Sequence, residues 1–126
     1  MSTPNSRPHT KSSWEKLRPR VTDELLGNIT RRIVARFHPE KIILFGSHAW
    51  GKPHVYSDLD LLVLMDSEKA MVDRMVDVSG EAEVRFLPMD VLVVTPAELR
   101  ARLELGDSFY HNILNRGRIL YERGTA

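Results

Sequence analysis

Two carboxylates stand two residues apart where an apolar run begins. Asp58 and Asp60 flank Leu59 and lead into the run 61–65. In a strand, side chains two residues apart project from the same face. Aspartate is depleted in strands, and two on one face are unfavourable unless something positive binds them. Mg²⁺, which takes carboxylate and phosphate oxygens, is the natural candidate. The alternative is a solvated strand end that carries two surface acids.

A third carboxylate, Asp90, opens a second apolar run over 91–94. If the two runs form neighbouring strands, all three carboxylates converge on one edge of the sheet. Three acids in one place repel each other, so the cluster favours bound cations. Two metal ions about 3.5–4 Å apart are the arrangement used for in-line displacement at phosphorus.

A glycine and a serine follow an earlier apolar run. Gly46 and Ser47 come directly after Lys41–Phe45, which reads as a buried strand. A glycine lets the backbone turn sharply and approach a ligand closely. The amides that follow, with the Ser47 hydroxyl, are donors suited to phosphate oxygens if a helical turn begins there. Taken alone, Gly-Ser is equally compatible with an ordinary strand-to-loop turn.

The elements that must position these residues alternate between helix and strand. Thr22 caps a first helix that Pro39 ends, and Thr95 to Glu98 form a capping box with proline at the first helical position. The order predicts an α/β (α+β) domain, with a small mixed sheet flanked by helices. In chain order, the predicted elements begin with a helix over about 22–37, a strand over Lys41–Phe45, a loop with one helical turn over 47–57 and a strand over 58–65. They continue with a helix from 67 to about 78 ended by Gly80, a short extended stretch over 84–87, a strand over 91–94 and a helix from Thr95. The last two are a helix over about 107–115, with Phe109 and Tyr110 in the core, and a strand over Arg118–Glu122.

Composition limits the classes of protein. The chain has 126 residues, of which 42% are hydrophobic and 28% charged, a balance typical of one globular domain. The longest apolar run is far short of the roughly 20 residues that a membrane helix needs, and the N-terminus lacks the apolar region of a secretory signal. The absence of cysteine excludes disulfides, thiol nucleophiles and cysteine-bound zinc, and it fits a reducing cytoplasm.

Charge is distributed unevenly along the chain. Residues 1–20 carry a net charge of +4 and the rest a net charge of −3. We therefore predict a flexible basic leader over 1–20 and one folded domain over 21–126. Because the folded part would repel phosphates on average, direct nucleic-acid binding is disfavoured.

These motifs together resemble the minimal nucleotidyltransferase (MNT) family of the DNA polymerase β superfamily. The resemblance covers about residues 22–122. It rests on Gly46-Ser47 after an apolar strand, ten intervening residues, Asp58-Leu59-Asp60, and Asp90 before another apolar strand. Ser57 also matches, as do Ala49 and Gly51 in the family's Gly-Ser-x-Ala-x-Gly turn.

The resemblance implies a role for each of these residues. Asp58, Asp60 and Asp90 would bind two Mg²⁺ ions, Asp90 also helping to activate the attacking hydroxyl. Gly46, Ser47 and Ser57 would bind the nucleotide. Family members often carry arginine on both sides of the alanine, whereas this chain has His48 and Trp50 there. Lys52 and Arg85 are the candidate substitutes for the missing cations. Trp50 is placed either to stack on a base or to pack at the sheet edge, and packing is favoured.

The implied activity is transfer of AMP from ATP to a hydroxyl. Proteins of this type are typically encoded beside a HEPN-domain ribonuclease toxin, and they act as its antitoxin by adenylylating a tyrosine. The resemblance therefore implies a HEPN protein as partner. Two alternatives stay open: an antitoxin that blocks its partner by contact alone, and a nucleotidyltransferase that acts on a small molecule.

Overall fold

The computed structural model describes residues 17–51 and 57–124. Its elements follow the predicted order. In chain order they are α1 (Asp23–Phe37), β1 (Lys41–Phe45), α2 (Ser47–Trp50), β2 (Leu59–Leu64), α3 (Met71–Ala82), β3 (Met89–Val94), α4 (Pro96–Glu104), α5 (Ser108–Arg116) and β4 (Arg118–Glu122).

The four strands form one mixed sheet in the order β3-β2-β1-β4. β1 is antiparallel to both β2 and β4, whereas β2 and β3 are parallel. The carboxyl end of β1 therefore lies at the same edge of the sheet as the amino ends of β2 and β3. Phe45 is the register partner of Asp60, and Asp60 is in turn the partner of Asp90. The mixed α/β architecture predicted from the sequence is confirmed.

Helices cover both faces of the sheet. α1 and α3 pack on the face that presents Leu59, Leu61 and Val63 of β2, and Ile29 and Ile33 of α1 are fully buried there. α4 and α5 pack on the opposite face, which presents Leu62. Asp60 has the same parity along β2 as Leu62, so it lies on the α4 and α5 face, at the end of the strand.

The N-terminal caps of α1 and α4 are observed where the sequence predicts them. The Thr22 hydroxyl accepts from the Leu25 amide at 3.1 Å and caps α1. Thr95 and Glu98 form the reciprocal hydrogen bonds of a capping box at α4. Each of these contacts joins a side chain to a backbone amide three residues away, which explains why a sequence pattern finds them.

The predicted limits of α3 were wrong at both ends. The helix begins at Met71 rather than at 67, and it runs through Gly80 to Ala82. Ala82 is fully buried against the sheet, and this packing outweighs the low helix propensity of Gly80. The exposed face of α3 carries Val72, which is 70% exposed.

Smaller corrections concern β2 and α5. β2 begins at Leu59, so Asp58 precedes the strand, and it ends one residue before Met65. Tyr110 is buried as predicted, but Phe109 is 48% exposed. In the described residues no helix has the length and apolar character needed to cross a bilayer. Residues 1–16 of the predicted leader lie outside the described residues.

A salt bridge joins α4 to α3. Arg74 of α3 is 2% exposed, and its guanidinium contacts both carboxylate oxygens of Glu98 at 2.9 and 3.0 Å. The hydrogen bond from Arg74 holds the pKa of Glu98 below its ordinary value, against a smaller opposing effect of burial.

We expect Glu98→Ala to destabilise the protein by about 2 kcal/mol. Removal of one partner strands a buried charge, and the effect stays moderate because the Glu98 side chain is 42% exposed. Since the pKa of Glu98 is lowered on folding, its contribution is present above the ordinary pKa of glutamate and disappears as pH falls below it. Thermal melts at pH 7 and pH 3 measure the difference, with the exposed Glu104→Ala as the control. An equal loss for both variants would contradict the assignment.

Candidate active site

The register of β2 and β3 brings two of the predicted carboxylates together. Asp60 and Asp90 are direct partners on adjacent parallel strands, and both have the parity of the α4 and α5 face. Asp58 precedes β2 by one residue and is exposed. Burial raises the pKa of Asp60, and the charges of Asp90 and Asp58 raise it further, against a smaller opposing effect of His48. We call these three residues the acidic edge.

The backbone of Gly46 lies directly against the acidic edge. Its dihedral angles are φ 78° and ψ −159°, a region that is essentially restricted to glycine. A Cβ built on Gly46 would overlap the Asp60 carboxylate oxygen Oδ2. The close approach predicted for this glycine is therefore made to a carboxylate of the same chain.

A single helical turn follows the glycine. The carbonyl of Gly46 accepts from the amides of Ala49 and Trp50 at 2.9 and 3.1 Å, so Gly46 is the N-cap of α2. Ser47 is the first residue of this turn, and the first amides of a helix have no carbonyl one turn earlier to bond to. The predicted helical turn at Ser47 is thus observed, within reach of the acidic edge.

Ser57 enters the site through its backbone. The residue is buried, and its carbonyl accepts hydrogen bonds from Nε2 of His48 at 3.2 Å and from the guanidinium of Arg18. Because a carbonyl only accepts, Nε2 of His48 must carry a proton. Arg18 belongs to the predicted leader, and its contact with Ser57, which joins residues 39 positions apart, was not predicted from the sequence.

Aromatic side chains line the side of the site beside α2. Trp50 packs near Phe45, with ring centroids 6.4 Å apart, as predicted for a residue at the sheet edge. The guanidinium of Arg116 lies 4.9 Å from the centre of the Trp50 ring. The ring centroids of Phe109 and Phe45 lie 5.7 Å apart in an edge-to-face arrangement, so the exposed ring of Phe109 packs against a buried one.

Of the two residues proposed as substitute cations, the structure describes only Arg85. Arg85 lies in the loop before β3, where its guanidinium stacks 4.9 Å from the centre of the neighbouring Phe86 ring. Lys52 lies outside the described residues. The cations that the described part of the site does contain beside α2 are Arg18 and Arg116, neither of which was proposed from the sequence.

The donor chemistry of the acidic edge suits Mg²⁺. Within the described residues, no three carboxylate or histidine side chains stand close enough together to form a ready metal-binding group. Mg²⁺ usually keeps several waters and uses one or two carboxylates with substrate phosphates, so an open set of hard oxygen donors fits it. The repulsion that raises the pKa of Asp60 is also relieved by a cation.

Comparison with known proteins identifies the family. A family model described as "Polymerase beta, Nucleotidyltransferase" matches residues 28–126, most of the chain and the whole acidic edge. The chain belongs to this family. The fold class and the superfamily inferred from the motifs are therefore confirmed.

One similar protein supports the family, and a second supports the fold. A Methanocaldococcus jannaschii protein named "Putative protein adenylyltransferase MJ0604" is 33% identical over 82 residues, which cover 65% of this chain and 78% of the relative. A solved structure from Sulfolobus solfataricus, described as a "putative nucleotidyltransferase", superposes with a TM-score of 0.59. It shares 22% identity over 82% of this nucleotidyltransferase chain and 83% of its own, and supports the fold alone.

Proposed function

We propose that this nucleotidyltransferase transfers AMP from ATP to a tyrosine hydroxyl of a partner protein in a Mg²⁺-dependent reaction. The observation that carries the proposal is the register of Asp60 and Asp90 at the strand ends, with Asp58 beside them and Gly46 packed against Asp60. A cluster of carboxylates is a poor site for a triphosphate unless cations lie between them.

The residues of the chain have distinct parts in this reaction. Asp58 and Asp60 would hold Mg²⁺, with Asp90 as the third carboxylate. The bound ions supply charge neutralisation for the triphosphate and polarisation of the α-phosphate. Gly46 and the amides at the start of α2 would accommodate the phosphates. Asp90 would take the proton of the acceptor hydroxyl. The hydroxyl oxygen would bond to the α-phosphorus while the bond between that phosphorus and the pyrophosphate leaving group breaks.

A protein acceptor is favoured by the name of one relative. Nucleotidyl transfer needs the acceptor oxygen held near the α-phosphorus, a requirement that positioning groups satisfy. A docked partner protein supplies such positioning groups together with the hydroxyl. The name of the M. jannaschii relative also points to a protein substrate. We propose a HEPN-type toxin as that partner, which makes this protein a cytoplasmic antitoxin.

The test is an incubation with a HEPN protein encoded beside this one. The purified pair is mixed with labelled ATP and Mg²⁺, and the partner is analysed by intact mass and peptide mapping. We expect a mass gain of one or more AMP units on a tyrosine of the partner, and no transfer when the divalent ions are chelated. The Asp58→Asn/Asp60→Asn double variant should give no gain.

Three results would contradict the proposal. Transfer that survives full chelation would exclude the metal mechanism. Neutralisation of the partner by the double variant without a mass change would establish an antitoxin that acts by contact alone. Transfer to a small molecule, with the partner unmodified, would identify the other alternative.

A further inference from the structure

Asp58 differs from the other two acids because it lies outside the sheet. β2 begins at Leu59, so the ladder hydrogen bonds that hold Asp60 and Asp90 do not include Asp58. The repulsion among the three carboxylates acts on Asp58 as well, and Asp58 is exposed. Its position at the acidic edge therefore depends on contacts made by the residues on either side.

Both neighbours of Asp58 are held by hydrogen bonds. On one side, the amide of Leu59 donates to the carbonyl of Pro88 at 3.1 Å. On the other side, the carbonyl of Ser57 accepts from His48 and from Arg18. A carbonyl oxygen has two lone pairs, so it can accept both donors at once. Asp58 is thus bracketed between two anchored peptide groups.

Arg18 is the distant member of this bracket. It lies before α1 and is half-buried, whereas His48 belongs to α2 beside the site. Its guanidinium carries its charge at all relevant pH values and offers five donors in a fixed plane. A charged donor on a buried carbonyl is stronger than a neutral one. The segment before α1 is therefore tied directly to the peptide that precedes Asp58.

We propose that Arg18 is a positioning residue of the active site, which holds the Ser57 carbonyl so that Asp58 stays at the acidic edge with Asp60 and Asp90. This inference rests on the proposed function, because it assigns Asp58 to cation binding. Removal of Arg18 takes the charged donor from the Ser57 carbonyl and weakens this side of the bracket, so that the mutual repulsion of the acids displaces Asp58 from the edge. Residue 18 thereby becomes part of the functional unit rather than of a leader.

The probe is Mn²⁺ alone, titrated into the full-length protein and followed by the electron paramagnetic resonance signal of the free ion. This readout needs neither nucleotide nor acceptor. We expect Arg18→Gln to weaken Mn²⁺ binding about tenfold, as is usual when a group that orients a metal ligand is removed. Arg18→Lys keeps a charged donor and should restore most of the affinity. Arg20→Gln is the matched control, because Arg20 is exposed and has no hydrogen bond or ion pair among the described residues.

The outcomes separate this inference from the proposed function. Arg18→Gln binding as tightly as the wild type would overturn the role of Arg18, as would an equal loss in Arg20→Gln, since that would reflect net charge alone. Asp58→Asn provides the reference for a lost ligand. If the wild type binds no Mn²⁺, or Asp58→Asn binds it unchanged, the proposed metal site fails instead. Circular dichroism and melting of each variant verify that binding is compared between folded proteins.

Discussion

Replacement of Asp60 by asparagine should abolish AMP transfer and leave the protein as stable as the wild type or more so. Asp60 is the central acid of the edge, since Asp90 is its register partner and Asp58 precedes it by two residues. An amide keeps the shape of the side chain but loses the charge that a divalent cation requires. A loss of at least about 1,000-fold in kcat, equivalent to about 4 kcal/mol of transition-state stabilisation, is expected.

The expected effect on stability has the opposite sign. Burial, followed by the charges of Asp90 and Asp58, raises the pKa of Asp60 in the folded protein. A carboxyl group with a raised pKa opposes folding while it is ionised, so asparagine removes an unfavourable charge at neutral pH. The advantage should fade as pH falls and Asp60 of the wild type takes up a proton.

Two measurements, the first of them on the metal-free protein, test this pair of effects. Thermal melts at pH 7 should place Asp60→Asn at or above the wild type, and labelled-ATP transfer with Mg²⁺ should be absent. Asp66→Asn removes an exposed aspartate beyond the opposite end of β2 and should leave activity unchanged. A variant that fails to fold would reassign Asp60 to a structural role.

The sequence could predict the parts of the site that depend on local patterns. Apolar runs located β1, β2 and β3, and the residue types at the helix starts located the caps at Thr22 and Thr95. The convergence of Asp60 and Asp90 was predicted only on the condition that their strands are neighbours, and the sheet order satisfies that condition. Strand order is set by packing of the whole domain, which explains why the prediction had to remain conditional.

The features that the sequence could not predict depend on contacts between distant residues. The buried position of Ala82 carries α3 past Gly80, against the local propensity of glycine. The contact of Arg18 with Ser57 spans 39 positions and has no signature in spacing. The stacking of Arg116 on Trp50 places an arginine beside α2 at a position that no motif indicates.

Gly46→Ala should reduce both stability and activity, which distinguishes it from Asp60→Asn. At φ 78° and ψ −159°, a residue with a Cβ is strained by about 1–3 kcal/mol. The added methyl group would also overlap Oδ2 of Asp60, and the backbone cannot retreat freely because the Gly46 carbonyl caps α2. Either the strand end or the carboxylate has to move.

The second consequence of Gly46→Ala is displacement of the group that the proposed mechanism needs most. A shift of about 1 Å in a positioned carboxylate can lower a rate by about 100-fold. We therefore expect a lower melting temperature together with a loss of transfer of at least that size. Gly80→Ala is the matched control, because Gly80 lies inside α3 with no atom near an added Cβ, and it should stabilise the protein by about 0.5–1 kcal/mol. Wild-type stability and transfer in Gly46→Ala would show that the close approach of Gly46 to Asp60 is not required for either.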